Sequence, residues 1–174
     1  IMAMLATFSI SIGLWENFRQ LWLQDNGFSA TEVSNITSFG LIVSVLGILL
    51  VGRTVKMRKI KQFMVVTSIV RTANLLLLFF INFSELRWLI DACIVIDVLA
   101  GALIITSVYP MLTTVMKSNG AYSRRKLVEY LFRDIGILIG GMVIGQQVGN
   151  WVVDYNACLM IAVVFSVLSV VIVS

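Results

Sequence analysis

The chain has 174 residues and a net charge of +4, and 59% of its residues are hydrophobic and 13% charged. Soluble domains have roughly 45–50% apolar and about 25% charged residues, so this composition excludes an ordinary soluble domain and indicates a membrane protein. The small net charge favours neither a nucleic-acid partner nor an acidic one.

Six apolar segments follow one another along the chain. A membrane span needs about 20 mostly apolar residues, and we predict an all-α bundle of six transmembrane helices that covers residues 1–174. The predicted helices comprise residues 2–22, 33–51, 62–82, 88–112, 127–150 and 156–174.

Basic residues are concentrated in two of the five loops. The loops after the second and fourth helices contain Arg53, Lys56, Arg58, Lys59 and Lys61, and Lys117, Arg124, Arg125 and Lys126, respectively. The other loops carry no lysine and only Arg19 and Arg87. By the positive-inside rule the two basic loops are cytoplasmic. We therefore predict a multi-pass protein of the cell membrane with a cytoplasmic N-terminus.

The first predicted helix changes character after Leu14. Glu16 shares one face with two later glutamines at a spacing of four, and Arg19 lies beside that face. Two interpretations remain open: the end of a helix at the membrane interface, anchored by Trp15 and Trp22, or a water-facing stripe that lines a cavity. Under the second interpretation Glu16 and Arg19 contact solute or protons.

The second helix has a strong start signal. Ser29 and Glu32 have the spacing of a capping box, in which each side chain bonds the other residue's backbone N–H. This pattern predicts a helix that begins close to Ser29 on the outer side of the membrane.

The third and fourth helices each place a charge deep in an apolar segment. Arg71 and Asp97 each lie about nine residues from one end of their helix, or about 14 Å at ~1.5 Å per residue. In antiparallel neighbours both reach the midplane of a core about 30 Å thick. A charge there costs about 2.5–3.5 kcal/mol, so we predict that the two pair. The pair either only holds two helices together or forms a site for solute or protons.

The fifth helix is rich in glycine. Small residues four apart let helix backbones approach closely in lipid, and this helix has two such series. The glycines are Gly136, Gly140, Gly141, Gly145 and Gly149. We predict that the first four serve helix packing and gating. At the cytoplasmic start of this helix, Glu129 and Arg133 have the i, i+4 spacing of an ion pair.

Four stretches of the chain resemble motifs of a known family. They are the outer loop at 23–29, the basic loop at 47–59, the segment 97–101 and the glycine-rich segment 136–145. All four are similar to motifs at the same places in the first six helices of the major facilitator superfamily of transporters. The chain departs from the family pattern at Gly52 (usually acidic), Asp97 (usually arginine), Ala100 (usually glutamine), Gly141 (usually proline) and Ile144 (usually glycine).

The resemblance covers essentially the whole chain and implies a fold and a function. It implies the N-terminal six-helix half of a twelve-helix transporter, with a second six-helix half as partner. The chain starts without methionine and ends inside an apolar run, which we expect of such a fragment. The resemblance implies proton-coupled export of a small solute by alternating access. The first and fourth helices would line the cavity, so that Glu16, Arg19 and Asp97 would contact solute or protons, with Arg71 as the partner of Asp97.

Two other classes of membrane protein compete with a transporter. A six-helix substrate-binding subunit of a vitamin-type importer has the same length and helix number, although the first helix lacks the usual Ala-x-x-x-Ala docking pattern. An intramembrane protease would need a Ser–His dyad or two facing aspartates; the chain has no histidine, and Asp91 and Asp97 lie on one helix. The missing histidine also removes the commonest zinc ligand. We therefore predict no enzymatic activity, no metal and no cofactor.

Overall fold

The computed structural model describes residues 2–55, 59–81, 86–116, 121–148 and 155–173, with their side chains except at 109, 111–116, 121–122 and 145–148. These residues form seven α-helices and no strand. The helices are α1 (Met2–Glu16), α2 (Arg19–Asp25), α3 (Ala30–Thr54), α4 (Ile60–Phe80), α5 (Arg87–Met116), α6 (Ala121–Val148) and α7 (Asn156–Val173). The predicted all-α class is confirmed.

Four of the helices are long and apolar enough to cross a membrane by themselves. They are α3, α4, α7 and the Arg87–Val108 part of α5. Among the described residues, α1 and α6 are not in this group. With its 15 residues α1 extends about 23 Å at ~1.5 Å per residue, and the first half of α6 is highly charged. The four helices indicate a membrane-embedded protein, and six crossings stay a prediction.

The first predicted helix, 2–22, is broken into α1 and α2. Asn17 Nδ2 donates to the backbone oxygen of Gly13 at 3.0 Å. In an uninterrupted helix that oxygen would accept from the backbone N–H of residue 17, so the side chain competes with the backbone bond. A new hydrogen bond from Trp22 N to Phe18 O, 2.9 Å long, then starts α2. Gly27, at φ +84°, follows the end of α2 in the left-handed region that glycine tolerates.

The predicted capping box at the start of α3 is confirmed. Ser29 N donates to Glu32 Oε2 at 2.7 Å, and Glu32 N donates to Ser29 Oγ at 3.3 Å. The two bonds satisfy backbone donors that have no partner inside the helix. They start α3 at Ala30, three residues earlier than the apolar pattern predicts.

The helices pack in a pattern with an internal symmetry. The main contacts of α1 are with α6 and α7, those of α5 are with α3 and α4, and α4 also packs on α7. The first three predicted helices (α1–α2, α3, α4) can be matched in order with the last three (α5, α6, α7). When each helix is exchanged for its match, every one of these contacts becomes another contact of the same set. The main helix contacts are therefore symmetric, with α1 and α5 in equivalent positions.

Two apolar clusters form the core of the bundle. One cluster is nearer the α2 end and includes Leu14, Leu75, Ile94 and Leu159. The other lies at the opposite end and includes Met4, Leu5, Phe8, Met64, Ile104, Val108 and Val173. Along α1, α4, α5 and α7, buried polar residues fall between the residues of the two clusters. We call this zone the polar layer; its members are Ser11, Ser68, Arg71, Thr72, Asp97, Ser166 and Ser169.

Candidate functional site

The centre of the polar layer is an ion pair between Arg71 on α4 and Asp97 on α5. Arg71 Nε lies 3.0 Å from Asp97 Oδ1. The two residues are 1% and 3% exposed, so their mutual attraction is weakly screened by water. The pairing predicted from their depth in neighbouring helices is confirmed, and a role in transport stays a prediction.

Arg71 is also fixed by the two other helices of the layer. Its Nη1 donates to Ser11 Oγ on α1 at 3.1 Å, and Ser11 Oγ donates to the Ala162 backbone oxygen on α7 at 2.9 Å. The guanidinium lies over the Phe8 ring, 5.0 Å from its centroid, a favourable cation–π distance. The single arginine thereby connects α1, α4, α5 and α7.

The second oxygen of Asp97 faces the first predicted helix. Trp15 Nε1 donates to Asp97 Oδ2 at 2.9 Å, and Arg19 Nη1 approaches the same oxygen at 3.4 Å. Trp15 and Trp22 are both buried in the bundle, so their interpretation as interfacial anchors is wrong. The carboxylate therefore accepts hydrogen bonds from three donors on three helices.

Ser11 and Trp15 also belong to this site, although neither was predicted from the sequence. Ser11, Trp15 and Arg19 are spaced by four residues, so they follow one face of a helix. That spacing is the signal that could have found them. Trp22 extends the aromatic part of this face, because its ring meets Trp15 edge-on at 5.3 Å.

Glu16 lies outside the buried cluster. Glu16 Oε2 is bonded to Arg133 Nη2 on α6 at 3.0 Å, and the two side chains are 34% and 40% exposed. The predicted pairing of Arg133 with Glu129 is wrong, since Glu129 instead lies 3.6 Å from Arg125 and 3.5 Å from Lys126. Arg133 therefore pairs with the acid on α1.

The predicted packing glycines have different surroundings. A Cβ on Gly136 would overlap the backbone oxygen of Ile10, and one on Gly140 would overlap the Phe18 ring. Gly141 has no described neighbour within 4 Å of a Cβ, so a gating role there stays a prediction. Gly145 belongs to α6, but its packing lies outside the described residues.

The predicted cytoplasmic loop is only partly described. Arg53 lies in the last turn of α3 and is exposed, whereas Arg58 lies outside the described residues. Among the described residues there is no group of metal-ligating side chains.

The chain was compared with family models, curated proteins and solved structures. None of them matches. The resemblance to the major facilitator superfamily therefore stays a prediction from the sequence motifs. The buried charges of the polar layer are the feature of this protein that calls for a function.

Proposed function

We propose that this protein is a secondary active transporter that moves a small solute across the membrane by alternating access. The single observation that carries the proposal is the contact of two buried arginines, Arg19 and Arg71, with one buried carboxylate, Asp97, inside a bundle of apolar helices. Ionisable groups inside a membrane protein are costly and mark solute or ion pathways by default. Apolar side chains could hold the same helices together without the free-energy cost of removing charges from water.

The arrangement of the helices supports this function. Secondary transporters are commonly built from repeats, with the binding site near the midplane where the repeats meet. Here the ion pairs join α5 to α2 and α4, across the two groups of three helices related by the contact pattern. Each group holds an odd number of predicted crossings, so the two groups would have opposite orientations in the membrane.

Asp97 is our candidate for the group that couples transport to a proton gradient. Its two oxygens are the common partner of both arginines. A proton on this carboxyl would remove the negative charge that holds Arg19 and Arg71 together. Binding of a proton would then weaken the contacts that hold α2, α4 and α5 together. Proton binding and the conformational change would thereby be coupled. A second six-helix half, predicted from the family resemblance, would complete the cavity.

Alternating access can be tested without knowledge of the solute. Gly101 is buried one helical turn from Asp97, and a Cβ there would have no described neighbour within 4 Å. We therefore place a cysteine by Gly101→Cys in a background with Cys93→Ser and Cys158→Ser. In oriented vesicles, a membrane-impermeant methanethiosulfonate reagent is expected to modify this cysteine from either side of the membrane.

A matched control is available on the apolar face of α4. Ile69 is half exposed on the bundle surface, close to Arg71 in sequence, and Ile69→Cys is expected to resist the reagent from both sides because it faces lipid. Modification of the cysteine at 101 from one side only would favour a substrate-binding subunit. No modification from either side would favour a purely structural ion pair.

A further inference from the structure

The buried charges around Asp97 do not balance. Two cations, Arg19 and Arg71, share one anion, Asp97. The ion pair of Glu16 with Arg133 adds one charge of each sign, so these five charges together still sum to +1. One positive charge in this buried cluster is therefore left without a counter-charge among the described residues. In a low-dielectric interior an uncompensated charge is strongly disfavoured unless an anion joins it.

Arg19 is the arginine whose hydrogen-bonding capacity is only partly used in the cluster. Its contact with Asp97 is 3.4 Å long, against 3.0 Å for Arg71. Its Nε is buried and has no hydrogen-bond partner among the described residues, although the residue is only 5% exposed. A guanidinium offers five donors in a fixed plane, and a buried donor without an acceptor is costly. Arg19 therefore lacks both a full counter-charge and an acceptor for its Nε.

We propose that the solute of this transporter carries an oxyanion group, a carboxylate, phosphate or sulfate, which binds Arg19. This inference rests on the proposed function for the identity of the ligand as the transported solute. The Nε side of a guanidinium matches two oxygens of such a group in a bidentate fashion. One negative charge from the solute would neutralise the cluster and satisfy the Arg19 Nε in the same step.

The break between α1 and α2 would allow Arg19 to move towards a ligand. Arg19 is the first residue of α2, directly after the interruption at Asn17 and Phe18. Interruptions of this kind are positions where helices bend and hinge. A small rotation of α2 would carry Arg19 away from Asp97 while Arg71 keeps its shorter bond to that residue.

The proposal gives Asp97 a definite relation to the solute. The carboxylate of Asp97 and the oxyanion compete for Arg19, so removal of the Asp97 charge is expected to strengthen anion binding. A cationic solute would behave in the opposite way, because Asp97 would then be its anchor. The sign of the Asp97→Asn effect therefore distinguishes the two classes of solute.

The test is calorimetric titration of the purified full-length protein with sodium acetate, phosphate and sulfate, each at constant ionic strength. At least one oxyanion is expected to bind saturably. Binding is expected to be about tenfold or more weaker in Arg19→Gln, as for loss of one member of a buried charge pair. Arg133→Gln removes a cation outside the buried cluster and is expected to leave the affinity within about twofold. Asp97→Asn is expected to bind more tightly.

Several results would overturn the proposal. One is a failure of all three oxyanions to bind, and another is equal affinity in Arg19→Gln and the native protein. A third is weaker binding in Asp97→Asn, provided that gel filtration shows this variant to be folded. If Asp97→Asn does not fold, Arg19→Lys decides, because it keeps the charge but loses the planar fork; binding as strong as with arginine would contradict the bidentate contact.

The titration that tests the oxyanion site and the labelling that tests alternating access can fail independently of each other. Anion binding that depends on Arg19, combined with one-sided access to a cysteine at 101, would leave the anion site intact and refute alternating access. Two-sided access without anion binding would support a transporter and refute the oxyanion solute.

Discussion

Gly13 and Gly136 mark the point where α1 and α6 cross with their backbones in direct contact. A Cβ on Gly13 would overlap the backbone oxygen of Arg133, and one on Gly136 would lie 3.1 Å from the Gly13 Cα and overlap the Ile10 oxygen. Backbone atoms cannot rotate away as a side chain can, so the two helices would have to separate. Close approach of this kind is the reason small residues are enriched at helix contacts in membranes.

Alanine at either crossing position is therefore expected to destabilise the bundle. Gly13→Ala and Gly136→Ala should each lower the free energy of unfolding by about 1–3 kcal/mol, the usual cost of overpacking. The measurement is denaturant or thermal unfolding of the purified protein in a mild detergent. Gly141→Ala is the control on the same helix as Gly136, since a Cβ there has no described neighbour within 4 Å. Equal stability of all three variants would contradict the backbone contact.

The hydrogen bond from Trp15 to Asp97 leads to a second prediction. Trp15→Phe keeps most of the buried ring but leaves Asp97 Oδ2 with Arg19 as its remaining partner. Hydrogen bonds to charged groups contribute about 1.5–3 kcal/mol, so we expect a loss of stability of that order. Trp88 is 67% exposed, and Trp88→Phe is expected to change stability by less than about 0.5 kcal/mol. The same unfolding assay measures both, and a neutral Trp15→Phe would show that the bond contributes nothing.

A third prediction concerns coupling through Asp97. Asp97→Asn preserves the size of the side chain but cannot exchange a proton. In proteoliposomes, with whichever oxyanion binds best in the titration, we expect it to abolish gradient-driven uptake while solute exchange at equal pH continues. The control is Asp25→Asn, at an exposed acid near the end of α2. Intact gradient-driven transport with an unchanged pH profile in Asp97→Asn would rule out the coupling role.

A charge reversal gives an independent test of the same pair. The double variant Arg71→Asp with Asp97→Arg retains opposite charges on α4 and α5 but alters the environment of Arg19, which loses its anion. We expect the double variant to be inactive in transport, even where it folds. Recovery of full transport would indicate that the pair only holds two helices together.

The orientation of the chain is the subject of the last prediction. Cysteines at Lys56 and Arg124, in the two basic loops, are expected to react with an impermeant maleimide only from the cytoplasm, and a cysteine at Glu85 only from outside. Labelling uses intact cells and inverted vesicles side by side. Reaction of the cysteine at 56 from outside would overturn both the orientation and the number of crossings.

Much of the fold could be predicted because its signals are local. Apolar length gives the helices, and the capping box of Ser29 and Glu32 gives one helix start. Arg71 and Asp97 could be paired because two opposite charges at one depth in neighbouring helices have few other partners. These inferences need only the chain's own periodicity and the cost of burying a charge.

Other features depend on geometry that a sequence does not reveal. At the break after Glu16 the Asn17 side chain donates to the Gly13 backbone oxygen, and the same residue could equally have faced solvent. The contact of Gly13 with α6 depends on where two helices cross. Trp15 resembles an interfacial anchor in sequence, and only the rotation of α1 towards Asp97 makes it part of the site.

The two apolar clusters on either side of the polar layer have a consequence for the dielectric around the charges. While both clusters are closed, little water reaches Arg19, Arg71 and Asp97, and their attractions act almost unscreened. Parting of either cluster would hydrate the site from that side and weaken those attractions. Entry of water and release of the helices from one another would therefore reinforce each other, which favours discrete open and closed conformations over a gradual widening.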